Sequence, residues 1–250
     1  MSRQEMTGST AIVTGASRGV GRAVATALAH SGASVVGVAR DERRLDDVRA
    51  ELGESFIPVV ADAADPVVAG QLIDAYGPRT VVLNAGARSL ARPIHNHTWE
   101  SFSRHWNVDV KQVFHWTREA LLRPLAPGST VVAFSSGAAL AGSPLSGGYA
   151  GAKATVRFVS TYAAAESERA ELGIRFTAVL PQLMPETELG GSALAAYAAR
   201  DGIDAATALE RMGAVLTAEQ VGKFVVDLVA DPTLDGTAYL LTAAGLNPLS

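Results

Sequence analysis

Tyr149 and Lys153 are the side chains of this sequence whose types and spacing point most directly to chemistry. They stand four residues apart in a predicted helix, so both lie on the same helix face. An ammonium beside a phenol stabilises the phenolate and lowers the pKa of the phenol from about 10. Such a phenol can donate a proton to a substrate oxygen, or accept one, near neutral pH. Alone, the pair is a weak signal, because a surface pair can have the same spacing by chance.

Ser136 strengthens this interpretation because it ends a predicted strand thirteen residues before Tyr149. Ligands of α/β folds bind at the carboxyl ends of the strands, and the intervening loop is long enough to bring both residues to one crevice. A serine hydroxyl there can polarise a carbonyl oxygen. We expect Ser135 to face the other side of the strand. The predicted catalytic residues are therefore Ser136, Tyr149 and Lys153.

A Gly-rich segment between the first predicted strand and the first helix has the composition of a phosphate-binding turn. Glycine lets the backbone turn tightly and approach a pyrophosphate, while the helix N-terminus presents free N–H groups to it. An ordinary glycine turn is the alternative, but the order of strand, turn and helix favours a dinucleotide site. The residues assigned to this site are Gly15, Ser17, Arg18, Gly19, Val20 and Gly21.

The second predicted strand ends in Ala39-Arg40, where a dinucleotide-binding fold contacts the adenosine ribose. An acidic residue there prefers the free 2′-hydroxyl, whereas an arginine accommodates a 2′-phosphate. Arg18 can reach the same phosphate, which guanidinium groups bind through paired hydrogen bonds. Asp41 is better explained as the cap of the next helix. The sequence therefore favours NADP(H) over NAD(H), unless both arginines are only solvated surface charges.

Two further segments follow predicted strands at the same sheet edge and are assigned to the cofactor. Asp62, with its neighbour Ala63, follows the third strand, where the carboxylate can accept a hydrogen bond from the adenine amino group; the alternative is a helix cap or a turn residue. Asn84-Ala85-Gly86 ends the fourth strand beside the expected crevice, where the alternative is a plain turn.

The elements that must position these residues are predicted from apolar runs that alternate with longer amphipathic stretches. Strands separated by helices of about ten or more residues imply right-handed crossovers and a parallel sheet covered on both faces. A long helix is predicted over about 99–122 and another over about 148–172. The segment 182–212 is longer than a usual connection, so it either forms a lid or packs on the body.

Composition limits the class of protein. Of the 250 residues, 48% are hydrophobic and 18% charged, which suits a globular domain rather than a disordered chain. The net charge is −4, with no basic stripe, so no nucleic-acid partner is predicted. Cysteine is absent and no carboxylate set accompanies the five histidines, so no metal site is predicted. The polar residues 1–10 are unlike a signal peptide and no apolar run is long enough for a membrane span, so a cytoplasmic protein is expected.

In their order and spacing, the motifs resemble those of the short-chain dehydrogenase/reductase (SDR) family over nearly the whole chain. They are Thr14 to Gly21, Asn84-Ala85-Gly86, Ser136 and the run from Tyr149 to Lys153. The resemblance implies one α/β domain with a Rossmann-type, doubly wound parallel sheet of seven strands and helices on both faces. A cofactor-binding half over about 8–90 would precede a catalytic and substrate half over about 91–250.

The resemblance also implies hydride transfer between NAD(P)H and a small ketone or secondary alcohol. Tyr149 would be the acid/base, Lys153 would tune it and bind the nicotinamide ribose, and Ser136 would orient the substrate. The nicotinamide would rest near Pro181 to Thr187, with Thr187 contacting its carboxamide or a phosphate, although Gln182 replaces the glycine usual in the family. Members are usually dimers or tetramers that pack partly through the two long helices, so a homodimer or homotetramer is expected.

Asp109 departs from the family pattern. The family commonly has an asparagine in the long helix that holds a water for proton relay, and the surrounding residues place Asp109 there rather than Asn107. A carboxylate can accept hydrogen bonds from water or Lys153 but cannot donate as an amide does. Its charge either stabilises charged Lys153 or weakens the effect of the lysine on Tyr149; the alternative is an inconsequential isosteric replacement.

Three functions remain open from the sequence. The preferred one is an NADPH-dependent carbonyl reductase, or the reverse alcohol dehydrogenase, in which Tyr149 protonates the substrate oxygen. A second keeps the fold but uses the Asp109 carboxylate for dehydration, isomerisation or cyclisation. A third is a non-catalytic NADP-binding module, against which the intact Ser136, Tyr149 and Lys153 argue.

Overall fold

In the computed structural model, the predicted apolar runs form a β-sheet. The structure describes residues 6–249, so half of the polar N-terminal stretch lies outside the described residues. Short, buried β-branched segments suit strands that are covered on both faces. The strands are β1 (Thr10–Thr14), β2 (Ser34–Ala39), β3 (Phe56–Val60), β4 (Thr80–Leu83), β5 (Thr130–Phe134), β6 (Arg175–Pro181), β7 (Ala238–Thr242) and β8 (Gly245–Pro248).

The strand order is β3-β2-β1-β4-β5-β6-β7-β8. Every neighbouring pair is parallel except β7 and β8, which are antiparallel. The strand order reverses between β1 and β4, and ligands of open α/β sheets bind at such a switch point. The expected Rossmann-type architecture is confirmed.

The sheet has one strand more than the seven expected. The last strand turns back on β7 through Ala243-Ala244, with Thr242 opposite Gly245. Its residues, Gly-Leu-Asn-Pro, show no apolar alternation, and Pro248 is acceptable only because the strand lies at the sheet edge. The sequence pattern therefore carries no signal for this strand.

Helices cover both faces of the sheet. They are α1 (Gly19–His30), α2 (Glu42–Leu52), α3 (Pro66–Tyr76), α4 (Trp99–His105), α5 (Lys111–Leu122), α6 (Ala138–Ala141), α7 (Tyr149–Arg169), α8 (Glu188–Asp201), α9 (Ala205–Met212) and α10 (Ala218–Ala230). Buried residues of α1, α2 and α10 pack on one face, and those of α3, α5 and α7 on the other. Asp41 caps α2 by accepting the Arg44 N–H at 3.2 Å, as predicted.

The long helix predicted over 99–122 is interrupted by a π-helical turn, Trp106–Val110. The Lys111 N–H donates to the Trp106 carbonyl five residues earlier, so the turn holds one residue more than an α-helical turn. Asp109 lies in this wide turn and is buried. Single π-turns inside helices frequently occur at functional sites.

The long segment after β6 contains α8 and α9. Leu194, Ala198 and Ala208 form a small apolar cluster of their own, apart from the two main cores. The two helices thus pack on each other, and α8 also borders the cleft described below. Within residues 6–249, none of the helices is both long and apolar enough to cross a membrane.

Candidate active site

One cleft of about 1620 Å³ opens at the carboxyl edge of the sheet. It exceeds the several hundred Å³ typical of a drug-sized ligand, and therefore has room for a dinucleotide together with a substrate. The structure brings nearly all the predicted site residues to this cleft. Those lining it are Gly15, Ser17, Arg18, Gly19, Val20, Arg40, Asp62, Ala63, Asn84, Ala85, Gly86, Asp109, Ser136, Tyr149, Lys153, Pro181 and Thr187.

The glycine turn between β1 and α1 depends on two close backbone approaches. Gly15 has φ +70°, and an added Cβ would lie 2.9 Å from the Ala85 Cα. Gly21 lies beneath the cleft rather than in its wall, and an added Cβ would lie 2.2 Å from the Gly15 carbonyl oxygen. The N-cap residue, Arg18, makes no side-chain hydrogen bond to the first turn of α1. The turn is therefore shaped to bring backbone N–H groups to an anionic ligand.

The segment Asn84-Ala85-Gly86 is fixed to β1 by Thr14. The buried Thr14 Oγ1 accepts the N–H groups of Asn84 at 2.9 Å and Ala85 at 3.1 Å. It donates to Gln112 Oε1 at 2.9 Å, and Gln112 Nε2 donates to the Ala85 carbonyl. Gln112 is not among the site residues predicted from the sequence, because its only signal is a polar residue on the buried face of a helix.

Arginines line the cleft beside the end of β2, but Arg18 already has a partner. Glu188, the first residue of α8, forms ion pairs with Arg18 and, at 3.1 Å, with Arg88. Arg40 is exposed, and Arg44 lies on the same wall. The glycine turn and α8 are thus joined by the Glu188 carboxylate.

Asp62 and Ala63 follow β3 in a turn. Asp62 Oδ1 accepts the Ala64 N–H at 2.9 Å, which matches the turn-residue alternative, while the residue also lines the cleft. The Ala63 carbonyl accepts the indole N–H of Trp116 at 3.0 Å. The cap of α3 is Asp65, which accepts the Val67 N–H.

Lys153 is held at the centre of the cleft by contacts to β5. Its Nζ donates to the Phe134 carbonyl at 2.9 Å and lies 5.7 Å from the centroid of the Tyr149 ring. The hydroxyl of buried Ser135 donates to the Lys153 carbonyl at 2.7 Å, so Ser135 anchors α7. The Ser136 Oγ accepts the Ala138 N–H at 3.2 Å at the edge of the cleft.

Asp109 forms a buried ion pair with Lys153. The Lys153 Nζ lies 3.0 Å from Asp109 Oδ2, while Oδ1 accepts the Ala87 N–H at 2.7 Å. His105 Nδ1 lies 3.4 Å from the same Oδ1. Only 1% of Asp109 and 6% of Lys153 are exposed, so little water screens the two charges.

The pKa values of this pair move apart. Burial favours neutral Asp109, but the charge of Lys153 and hydrogen bonds from His105 and Ala87 outweigh it and hold the pKa of the carboxyl below its usual value. Burial likewise opposes the charge on Lys153, yet Asp109 and Tyr149 together raise the pKa of its ammonium. The carboxylate thus stabilises charged Lys153, one of the alternatives left open by the sequence.

Thr187 and neighbouring residues of α8 border the other end of the cleft. The Thr187 Oγ1 accepts the Gly190 N–H at 3.0 Å and donates to the Met184 carbonyl at 2.9 Å. Its hydroxyl thereby caps α8 in this structure, and contact with a cofactor stays a prediction. Pro181 ends β6 beside it.

Tyr197 joins α8 to the loop before Tyr149. The Tyr197 hydroxyl contacts Ser143 Oγ, which lies 2.7 Å from Ser146 Oγ. These three hydroxyl groups line the cleft. The sequence analysis did not single them out, since the pairing depends on how α8 folds back over the loop. Among the described residues, no group of three or more His, Asp or Glu side chains could hold a metal ion.

The sequence and the fold are each similar to those of known proteins. Residues 9–198 match the profile of a family described as short chain dehydrogenase. A short chain dehydrogenase of Pseudocercospora fijiensis is 32% identical over 250 aligned residues, which cover 91% of this chain and 77% of that protein.

Two solved structures share the architecture. The 3-ketoacyl-(acyl-carrier-protein) reductase from Brucella melitensis, complexed with NADH, has a TM-score of 0.75 and 25% identity, with 94% of each chain covered. An NAD+-bound xylitol dehydrogenase has a TM-score of 0.83, covering 96% of this chain and 100% of that one. Its identity is 20%, so this second likeness supports the fold alone.

Proposed function

The chain belongs to the short-chain dehydrogenase family of oxidoreductases, and we propose that it transfers hydride between NADP(H) and a small ketone or secondary alcohol. One observation carries the proposal. Tyr149, Lys153 and Ser136 line the same cleft as a glycine turn whose backbone can approach a pyrophosphate. A reductase of this type needs a proton donor and a nicotinamide cofactor at one place.

The described residues fit a nicotinamide dinucleotide. The turn at Gly15 and the N-terminus of α1 would hold the pyrophosphate, and the Lys153 ammonium would bond the nicotinamide ribose. Asn84 borders the middle of the cleft. When bound, the cofactor supplies a hydride to a carbonyl carbon or accepts one from an alcohol. The solved reductase with NADH supports a nicotinamide at this place, because it has the same fold over 94% of its chain.

The chain itself supplies the proton and stabilises the substrate oxygen. In the reduction, the Tyr149 hydroxyl gives its proton to that oxygen, and the resulting phenolate is stabilised by the nearby Lys153 ammonium. The Ser136 hydroxyl donates a hydrogen bond to the same oxygen as negative charge develops on it. Two of the three Lys153 N–H groups are occupied by Phe134 and Asp109, which leaves one for a ribose hydroxyl.

The preference for NADP(H) rests on the charge at the adenosine end. Arg18, Arg40 and Arg44 line this part of the cleft, and residue 39 at the end of β2 is alanine rather than an acid. Guanidinium groups favour a 2′-phosphate, whereas an acidic residue would favour the free ribose. Asp41 is on the same wall, but it is engaged in capping α2.

The state of Asp109 favours redox chemistry over the non-redox alternative. Both of its oxygens have partners, with Lys153 on one and Ala87 on the other. A general base also needs a pKa suited to accepting the substrate proton. The carboxylate is buried, is paired with Lys153 and has a lowered pKa, so it is better suited to holding Lys153 than to abstracting a substrate proton.

A homo-oligomer formed through α5 and α7 is part of the proposal. Phe114, Phe158 and Tyr162 are 51%, 55% and 64% exposed, and the last two rings stack at 6.1 Å. Large exposed aromatic side chains are enriched at protein interfaces. The expected partner is a second copy of this chain, since the family commonly assembles through these helices.

The test is turnover with a panel of ketones and secondary alcohols. The purified protein should change the absorbance of the reduced nicotinamide with NADPH, and more weakly with NADH. A panel of linear, cyclic and hydroxylated ketones that gives no change with either cofactor would contradict the proposal. Product formation without consumption of NADPH would instead support the non-redox alternative.

A further inference from the structure

His105 is a buried titratable side chain that the proposed mechanism does not use. It is the last residue of α4, directly before the π-helical turn, and it is 3% exposed. Its ring packs edge-on against the Tyr149 ring, with centroids 5.0 Å apart and an interplanar angle of 74°. The buried imidazole thus contacts two residues that line the cleft, Tyr149 and Asp109.

The hydrogen-bond donors divide the Asp109 carboxylate into two halves. The Ala87 N–H donates to Oδ1 at 2.7 Å, and His105 Nδ1 lies 3.4 Å from the same oxygen. The Lys153 Nζ lies 3.0 Å from Oδ2. An ionised carboxylate can only accept hydrogen bonds, so Nδ1 must carry the proton in this contact. Two donors thus fix one oxygen, and the other faces the ammonium.

We propose that His105 is a positioning residue that holds the Asp109 carboxylate against Lys153. The inference rests on the proposed function, because the ammonium so placed is the one that stabilises the Tyr149 phenolate. The family asparagine at this place is neutral and can donate; the carboxylate here cannot donate and needs donors of its own. His105 supplies one of them from the preceding turn of the same helix.

A role limited to packing is the competing explanation, because the ring of His105 also supports Tyr149. The variants His105→Phe and His105→Asn separate the two roles. Phenylalanine keeps an aromatic ring against Tyr149 but removes the donor, whereas asparagine keeps a donor near the position of Nδ1 and removes the ring.

The kinetic test measures kcat and KM for both variants in the natural background and in the Asp109→Asn background. His105→Phe should lower kcat on the order of tenfold, the effect of losing a hydrogen bond to a charged group, while changing the KM for NADPH less than about twofold. His105→Asn should retain most of the activity. In the Asp109→Asn background, His105→Phe should have little further effect, because interacting residues are not additive.

Equal losses in His105→Phe and His105→Asn, or the same loss from His105→Phe in both backgrounds, would overturn the proposal. A second readout does not need activity. Imidazole nitrogen NMR, assigned by the signal lost in His105→Asn, should show a protonated Nδ1 whose resonance shifts in Asp109→Asn. An unprotonated Nδ1 overturns the inference, even if the enzyme reduces ketones. A protonated Nδ1 in a protein that turns over no carbonyl compound contradicts the proposed function alone.

Discussion

Lys153 and Asp109 form an ion pair of 3.0 Å in which both side chains are more than nine-tenths buried. A cation buried this far must be paired, since desolvation otherwise drives it to its neutral form. The carboxylate keeps Lys153 charged beside Tyr149, and it also offsets part of the positive field that acts on the phenol. The pair therefore affects both the stability of the protein and the proposed proton transfer by Tyr149.

Loss of the carboxylate should destabilise the protein. Asp109→Ala leaves Lys153 buried without a counter-charge, and we expect a decrease of about 3 kcal/mol in the free energy of unfolding. Asp109→Asn should cost less, because the amide oxygen can still accept from the ammonium. Urea titration measures both. Glu51→Gln is the matched control, since Glu51 pairs with Arg22 at the surface; a loss equal to that of Asp109→Ala would contradict the assignment.

The contribution of the pair should depend on pH in a fixed direction. The pKa of Asp109 is lowered from 3.8, so its stabilisation is present above about pH 4 and is lost as pH falls through the folded-state pKa. The pKa of Lys153 is raised from 10.5, so its stabilisation is present below about pH 10 and is lost as pH rises through the folded-state pKa. The stability difference between the natural protein and Asp109→Asn should be largest near about pH 5 to 6. It should shrink as pH falls through the folded-state pKa of Asp109, and it should also shrink towards alkaline pH, where the unpaired Lys153 of the variant loses its proton. A difference that grows as pH falls below about 4 disagrees with this sign.

Removal of Glu188 should favour the phosphorylated cofactor. Its carboxylate forms an ion pair with Arg18, the predicted ligand of the 2′-phosphate. Because the pair is half exposed and weak, we expect Glu188→Gln to lower the KM for NADPH about two- to fourfold and to leave the KM for NADH unchanged. Glu51→Gln serves again as the control. An equal change in the KM values of both cofactors would indicate a movement of α8 rather than competition for Arg18.

A charge on the exposed aromatic face should prevent assembly. Phe158→Glu places a carboxylate between α5 and α7 of two copies, where an unpaired buried charge is costly. Sedimentation should show a smaller species than the natural protein. Val67→Glu, at a residue 57% exposed on α3, should leave the assembly unchanged. The oligomer proposal fails if the natural protein is already a monomer.

Local motifs made most of this site predictable from the sequence. The glycine turn, Ser136, Tyr149 and Lys153 are positioned by short strand–turn–helix or helix segments, so their spacing along the chain already places them at one sheet edge. The apolar runs of the sequence also predicted seven of the eight strands, since parallel strands that are buried on both faces are apolar along their length.

The remaining features depend on contacts that no local pattern specifies. The π-helical turn adds one residue to a helix whose periodicity looks continuous. Gln112 looks like an ordinary helix residue until the fold brings the Ala85 carbonyl to it. His105 is only four residues from Asp109, but the fold brings Lys153 and Tyr149 to the two of them. The pairing of Arg18 with Glu188 joins residues 170 positions apart, and no spacing rule covers that distance.

The central claim is that the Tyr149 hydroxyl is the proton donor to a substrate carbonyl. Tyr149→Phe keeps the ring that packs against His105 and removes only the oxygen. The decisive measurement is kcat for NADPH-dependent ketone reduction by this variant, with NADPH affinity measured alongside by fluorescence. We expect kcat to fall by about a hundredfold or more, as for loss of a general acid, while the cofactor still binds. Retention of full activity by Tyr149→Phe would contradict the account.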